Sequence, residues 1–177
     1  MEIKPMGIAR NKVWIIYILD VLKFPLQENQ LAELCDRFSL MDCFDFSLAI
    51  NELQKTDLVK CEDSPLGRLY SMSMLGESTL ECFAKELSYT KRQEIAAQLK
   101  RDSDDIFLKS VIGCETTKLD DGRYRVRMRM IEKGMETFDV ALVANDGAEA
   151  LKFTEQWKKN AMAVYEAVFL SLGRKND

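Results

Sequence analysis

The 177-residue sequence contains no histidine. Without it no Ser-His-Asp or Cys-His nucleophile can form, and no imidazole can act as a general base or a zinc ligand. The phosphate-binding pattern GxxxxGK[ST], the dinucleotide-binding pattern GxGxxG, the nucleophile elbow GxSxG and the zinc-binding pattern HExxH are also missing. We therefore expect no catalytic residues, no metal site and no cofactor.

Cysteine pairs and long hydrophobic runs are lacking as well. The five cysteines are scattered and never spaced as CxxC, which predicts reduced, mostly buried thiols. The longest apolar run, residues 13–22, includes Asp20 and is shorter than the ~20 residues of a membrane-spanning helix. No signal-peptide pattern precedes it. We expect a cytoplasmic protein that does not contact the membrane.

The first 88 residues alternate between helical and strand patterns. The predicted order is a helix over 11–23 that is apolar on nearly every side, a short extended piece after Pro25, helices within 27–39 and 45–59, strands over 58–62 and 68–72, and a helix after Ser73. Ser47 or Asp45 is placed to cap the third helix. This order is that of a winged helix-turn-helix domain, which we assign to residues 1–88.

A local motif supports the assignment. The segment "YSMSMLGESTL" (70–80) resembles the Y-x-[LI]-[ST]-x-x-G-x-x-x-L segment that ends the wing in winged-helix regulators of the PadR and MarR kind. Tyr70 and Met72 are expected to face the core. Ser73 should cap the following helix, and Gly76 should allow close packing in its first turn.

Over nearly its whole length the chain also resembles an uncharacterised bacterial family, a domain of unknown function found in Firmicutes. The matching segments are "NKVWIIYILD" (11–20), "FPL" (24–26) and the tail helix "EQWKKNAMAVYEAV" (155–168). One departure is Asp57, where relatives usually carry glycine after the third helix. Aspartate tolerates the left-handed conformation expected there, at some cost.

The remaining residues predict a second, smaller domain. Residues 89–104 form a charged helix that we interpret as a connector, with Ile95, Ala96 and Leu99 facing inward. Residues 105–177 contain strand patterns over 106–119, 123–132 and 136–144, followed by a long amphipathic helix. The predicted class is α+β: a winged helix-turn-helix, then an antiparallel three-stranded sheet packed on a long C-terminal helix.

The middle strand of this sheet carries an arginine at every second position: Arg123, Arg125, Arg127 and Arg129. Alternation places the intervening Tyr124, Val126, Met128 and Met130 under the helix and the arginines on the open face. Neighbours expected on that face are Lys109, Glu115, Thr117, Thr137 and Asp139. Two interpretations remain open: a solvated face with cross-strand ion pairs, or a surface that docks an anion or a protein partner.

Charge and fold favour different functions. Residues 1–88 hold nine basic and fourteen acidic side chains, a net charge of −5, whereas residues 89–177 carry +1. DNA-binding domains usually show a basic footprint. The third helix nevertheless offers outward side chains suited to DNA, as does the wing: Ser47, Asn51, Gln54, Lys55 and Arg68.

Two functions follow as hypotheses. The first is a dimeric, non-catalytic transcriptional regulator that binds double-stranded DNA through its winged helix. The alternative is a winged-helix interaction or dimerisation module that does not bind DNA and docks a protein partner on the arginine-lined sheet face. Fold analogy carries most of the first hypothesis.

Overall fold

The chain divides into two units, the second of which begins at Val111. The computed structural model describes residues 5–132 and 134–173. The elements in the described residues are α1 (Pro5–Leu22), β1 (Leu26–Gln27), α2 (Glu28–Arg37), α3 (Cys43–Lys55), β2 (Val59–Ser64), β3 (Gly67–Met72), α4 (Met74–Phe83), α5 (Tyr89–Arg101), α6 (Ser103–Val111), β4 (Ile112–Lys118), β5 (Tyr124–Glu132), β6 (Met135–Ala144) and α7 (Gly147–Ser171). The predicted α+β class is confirmed: seven α-helices accompany two antiparallel three-stranded sheets in these residues.

Helix α1 forms the centre of the first unit. Its residues Ile15, Ile16 and Ile18 have no exposed surface. The helix contacts α2, α3, α4, α5 and β3, so its apolar sides are covered from within the unit. Burying each isoleucine contributes ~1.5–3 kcal/mol.

Helices α2 and α3 follow β1, and a small sheet of order β1-β3-β2 comes next. Tyr70 at the middle of β3 is opposite Leu26 on one side and Cys61 on the other. Helix α3 begins two residues earlier than predicted, and Asp42 caps it by accepting the Asp45 N–H at 2.9 Å. The prediction of Ser47 or Asp45 as the cap was therefore wrong, because the helix starts within the turn that had been assigned to loop.

The join between β3 and α4 confirms the predicted Ser73 cap and the close packing at Gly76. The Ser73 hydroxyl accepts the Gly76 N–H at 2.9 Å and donates to the Asp57 carbonyl at 2.7 Å. A Cβ at Gly76 would lie 2.2 Å from the Leu58 carbonyl oxygen, so only glycine fits without a shift of backbone. Asp57 adopts the left-handed conformation, with φ of 53°.

The segment before the second unit differs from the prediction. Ile95 and Leu99 of α5 are fully buried in the core of the first unit, so the helix interpreted as a connector packs as part of that unit. Residues 106–111, predicted as the start of a strand, lie in α6, and Lys109 is accordingly not on the sheet. Burial of Ile106 and Ser110, one helical turn apart, accounts for this.

The second unit is a sheet of order β4-β5-β6 with α7 on one face. Trp157 of α7 is buried, stacks on Phe138 with ring centroids 5.7 Å apart, and donates its indole N–H to the Gly113 carbonyl at 3.0 Å. Asp146 caps the helix by accepting the Glu149 N–H. The helix bends at Asn160, whose φ of −128° is not helical.

Gly76→Ala should lower the free energy of unfolding by ~1–3 kcal/mol, because the new methyl group meets the Leu58 carbonyl. Gly7→Ala is the matched control. A Cβ at Gly7 meets no neighbouring atom within 4 Å, so this change should stabilise helix α1 by up to about 1 kcal/mol. Urea unfolding of both variants checks the contrast, and equal effects would contradict the close approach at Gly76.

Candidate functional site

The outer face of helix α3 brings together four of the predicted DNA-contacting residues. Ser47, Asn51, Gln54 and Lys55 are all exposed, because Phe46, Ala49, Ile50 and Leu53 turn the opposite side of the helix into the core. The Ser47 hydroxyl donates to the Cys43 carbonyl at 2.9 Å. The Asn51 amide donates to the Ser47 carbonyl at 2.7 Å, and Lys55 pairs with Glu52 at 3.3 Å.

Two apolar residues on this face were not predicted as outward. Phe44 is 79% exposed and Leu48 is 41% exposed. They stand four residues apart, in one row with Asn51 and Lys55. Their exposure could have been predicted from the sequence. With Phe46 and Ile50 on the buried side, helical geometry places Phe44 and Leu48 on the opposite side. Apolar groups in this position can contact thymine methyl groups or a protein partner.

The fifth predicted residue, Arg68, lies exposed on β3. Two strand positions away, the buried Tyr70 donates its hydroxyl to the Glu28 carboxylate at 3.0 Å. This bond connects β3 to the first residue of α2. Burial raises the pKa of Tyr70 to about 12; the neighbouring Arg68 opposes this shift and Glu28 adds to it. The Tyr70 hydroxyl in turn raises the pKa of Arg68.

The charge around these elements is acidic. Residues 28–72 hold four basic and nine acidic side chains. Arg37 pairs with Asp102 and Lys55 with Glu52. Lys60 and Arg68 are the cations of this stretch that form no ion pair within the described residues. The surface therefore presents few charges for phosphate.

On β5 the predicted alternation is confirmed. Val126, Met128 and Met130 are buried under α7, Tyr124 is partly buried, and the arginines occupy the other face. Arg123 and Arg125 are exposed, whereas Arg127 and Arg129 are partly covered. Glu115 and Thr117 lie on the arginine face, as predicted, and the strand register places Glu115 opposite Arg127 and Thr117 opposite Arg125.

Most of these arginines are neutralised by carboxylates. Arg127 binds Asp139 at 2.6 Å, which lowers the pKa of that carboxyl, and Arg123 binds Asp121 at 2.7 Å in the preceding turn. Arg129 lies 3.1 Å from Glu136 and 3.7 Å from Glu115.

Glu136 was not predicted as a partner. A bulge between Met130 and Ile131 shifts the β5–β6 register. Thr137, predicted on the arginine face, lies at this irregularity and donates its hydroxyl to the Met130 carbonyl at 3.4 Å.

Arg125 differs from its three neighbours because it forms no ion pair in the described part of the chain. It lines a shallow surface depression with Arg127, Asp139, Ala141 and Val143. The face as a whole therefore has the character of an ion-paired solvated surface, with one free guanidinium beside two small apolar side chains.

Tyr70→Phe should destabilise the protein by ~1–3 kcal/mol, because it removes the buried hydroxyl that binds the Glu28 carboxylate. The pKa of Tyr70, about 12, lies above the usual 10.0, so its contribution is fully present below pH 10 and is lost as pH rises toward 12. The variant should therefore lose less stability than the wild type between pH 10 and 12.

Urea unfolding as a function of pH measures both effects. Tyr89→Phe is the control, since Tyr89 is 69% exposed and its hydroxyl has no hydrogen bond among the described residues. If Tyr70→Phe matched this control at neutral pH, the bond between β3 and α2 would have no role in stability.

Comparison with known proteins places the chain in a family without supplying a function. In the described residues no helix is long and apolar enough to cross a membrane, and no group of three or more Cys, Asp or Glu side chains could hold a metal ion. No curated protein and no solved structure shows significant similarity to the chain. Residues 11–172 match the model of the family described as "Domain of unknown function (DUF4364)". The chain belongs to this family, which confirms the expected membership of an uncharacterised domain-of-unknown-function family.

Proposed function

We propose that the protein is a winged-helix DNA-binding regulator of transcription that acts as a dimer. The observation that carries this proposal is the exposed polar face of α3, preceded by α2 across a five-residue turn and followed by the antiparallel pair β2–β3. The order α1, β1, α2, α3, β2, β3, with sheet order β1-β3-β2, supports the assignment of a winged helix. The proposal places the protein in the bacterial cytoplasm, in agreement with the resemblance to a Firmicutes family.

In this proposal α3 enters the major groove. The Asn51 amide uses one N–H on the Ser47 carbonyl, which leaves its second N–H and its carbonyl oxygen for an adenine edge. Gln54 offers the same groups one helical turn further along. Phe44 and Leu48 are placed to contact thymine methyl groups.

The phosphate contacts come from a small set of cations. Lys60 and Arg68 extend from the strand pair, and Lys55 exchanges Glu52 for a phosphate. Three contacts per chain, six for the dimer, give an expected slope of about −5 for log affinity of the dimer against log salt. The acidic surroundings make binding by one chain weak, so a pair of subunits is needed for tight binding.

Fluorescence anisotropy with random genomic duplex at several salt concentrations tests the proposal. We expect binding at low salt that falls steeply as salt rises. Arg68→Gln should weaken binding to all sequences and reduce the salt slope by about 2, because each chain of the dimer loses one phosphate contact. Arg123→Gln is the control, because Arg123 belongs to the second unit and is held by Asp121. No detectable binding at the lowest salt concentration would remove the proposal.

Replacement of Asn51 and Gln54 by alanine tests base recognition separately. This double variant should retain the salt slope but lose preference for selected sequences, by ~1–3 kcal/mol for each lost base contact. The measurement is a selection of bound fragments from genomic DNA, carried out with the wild type and with the double variant. Identical selected sequences would show that α3 does not contact base edges.

The second candidate is a winged-helix interaction module that binds protein rather than DNA. The exposed Phe44 and Leu48, set among acidic residues, are the observations that favour it. The salt titration separates the candidates, because an apolar protein contact changes little with salt. Arg125→Glu with Arg127→Glu tests docking on the arginine-lined face, since unchanged partner binding would leave that face as a solvated surface.

A further inference from the structure

Strand β6 leaves one long edge of the second sheet without a neighbour. It contains ten residues and, in the described structure, pairs with β5 on one side only. Residues 140–144, "VALVA", are five successive apolar residues without a charge. An exposed edge of this kind is a template for pairing with another strand.

The other free edges carry the features that prevent such pairing. Strand β4 is shorter and includes the charged Glu115 and Lys118. Strand β2 of the first unit carries Lys60, Glu62 and Asp63. Residues 138–144 of β6 contain neither lysine nor proline, and their single charge, Asp139, is bound by Arg127. Residues 138–144 of β6 therefore lack the features that prevent pairing with another strand, although β6 is the longest edge strand in the described residues.

Exposed apolar side chains flank this edge on both faces of the sheet. Leu142, on the helix side, is 44% exposed, and Val143, on the arginine side, is 45% exposed. Ala141 is exposed beside Val143. Arg125, which forms no ion pair among the described residues, is on β5 directly opposite Val143.

We propose that β6 pairs antiparallel with β6 of a second copy of this chain, across a two-fold axis at Ala141, to form a continuous six-stranded sheet. Residues 138–144 of each copy then lie opposite each other. Asp139 meets Val143 of the second copy, and Leu142 meets Val140. No like charges face each other in this range, because Asp139 is its only charged residue.

The two-fold axis also supplies the missing partner of Arg125. Because Arg125 neighbours Val143 on its own sheet, Asp139 of the second copy lies two strand spacings away, about 10 Å between Cα atoms. A carboxylate has about four acceptor positions, so Asp139 can bind Arg127 of its own chain and Arg125 of the other. This charge complementarity favours a second copy over an unrelated strand.

Sedimentation equilibrium of the full chain tests the interface. We expect a particle of twice the 20.4 kDa chain mass. Ala141→Lys should convert it to monomer, because the two lysines would face each other across the axis. Thr117→Lys should leave the dimer intact, since Thr117 is exposed on the same face at the opposite edge. Arg125→Gln should weaken association about tenfold, and Arg123→Gln should not.

Disulfide trapping places the axis. Ala141→Cys should form a covalent dimer rapidly under mild oxidation, because residues opposite each other on antiparallel strands are ~4.5–5.5 Å apart. Thr117→Cys should form a covalent dimer no faster than the wild type. The wild type measures the background of disulfide formation through the exposed Cys43 and Cys82.

Three results would each overturn the inference. The first is a monomeric wild type at about 100 µM, a concentration well above the micromolar range of specific association. The second is a dimer unaffected by Ala141→Lys, and the third is equal disulfide trapping of the two cysteine variants. The inference rests only on the dimeric part of the proposed function. A dimer that fails to bind duplex DNA would remove the regulator proposal and leave this interface. A DNA-binding monomer would remove this interface and the dimeric part of the proposed function, and would leave DNA binding.

Discussion

The first unit depends on the burial of helix α1. Its isoleucines point in several directions around the helix and are all fully buried, so the helix is stable only when other elements surround it. Helices α2 to α5 and strand β3 supply this cover. The exposed face of α3 is a consequence, because Phe46, Ile50 and Leu53 are needed on the inner side and the polar residues between them must point outward.

Local patterns with one dominant cause were predictable from the sequence. The alternation of β5 follows from the two faces of a strand, and the Ser73 cap with Gly76 follows from one turn of helix. The Asp42 cap was missed because it depends on where α3 starts in a turn that the periodicity does not define. Residues 106–111 were missed because a short apolar run fits a strand or a helix equally well, and only the packing of Ile106 in the first unit decides.

The two surfaces that the sequence singled out differ in a way that net charge does not show. The arginine-rich strand carries its neutralising carboxylates on neighbouring strands, and the bulge that brings Glu136 beside Arg127 and Arg129 could not be read from the alternation. The region of α3 and the strand pair β2–β3 is acidic overall, but Lys60 and Arg68 form no ion pair with any described residue. Only the pairing of individual side chains shows that most of the arginines on the sheet are neutralised, with Arg125 as the exception among the described residues.

Ser73 illustrates how two contacts on one side chain restrict sequence change. Its hydroxyl accepts a hydrogen bond from the Gly76 N–H and donates one to the Asp57 carbonyl, so one side chain binds both the turn after α3 and the start of α4. Aspartate caps helices as well as serine does, yet its carboxylate has no proton to donate at neutral pH. Homologous sequences should therefore carry serine or threonine at this position, although capping alone would also permit aspartate and asparagine.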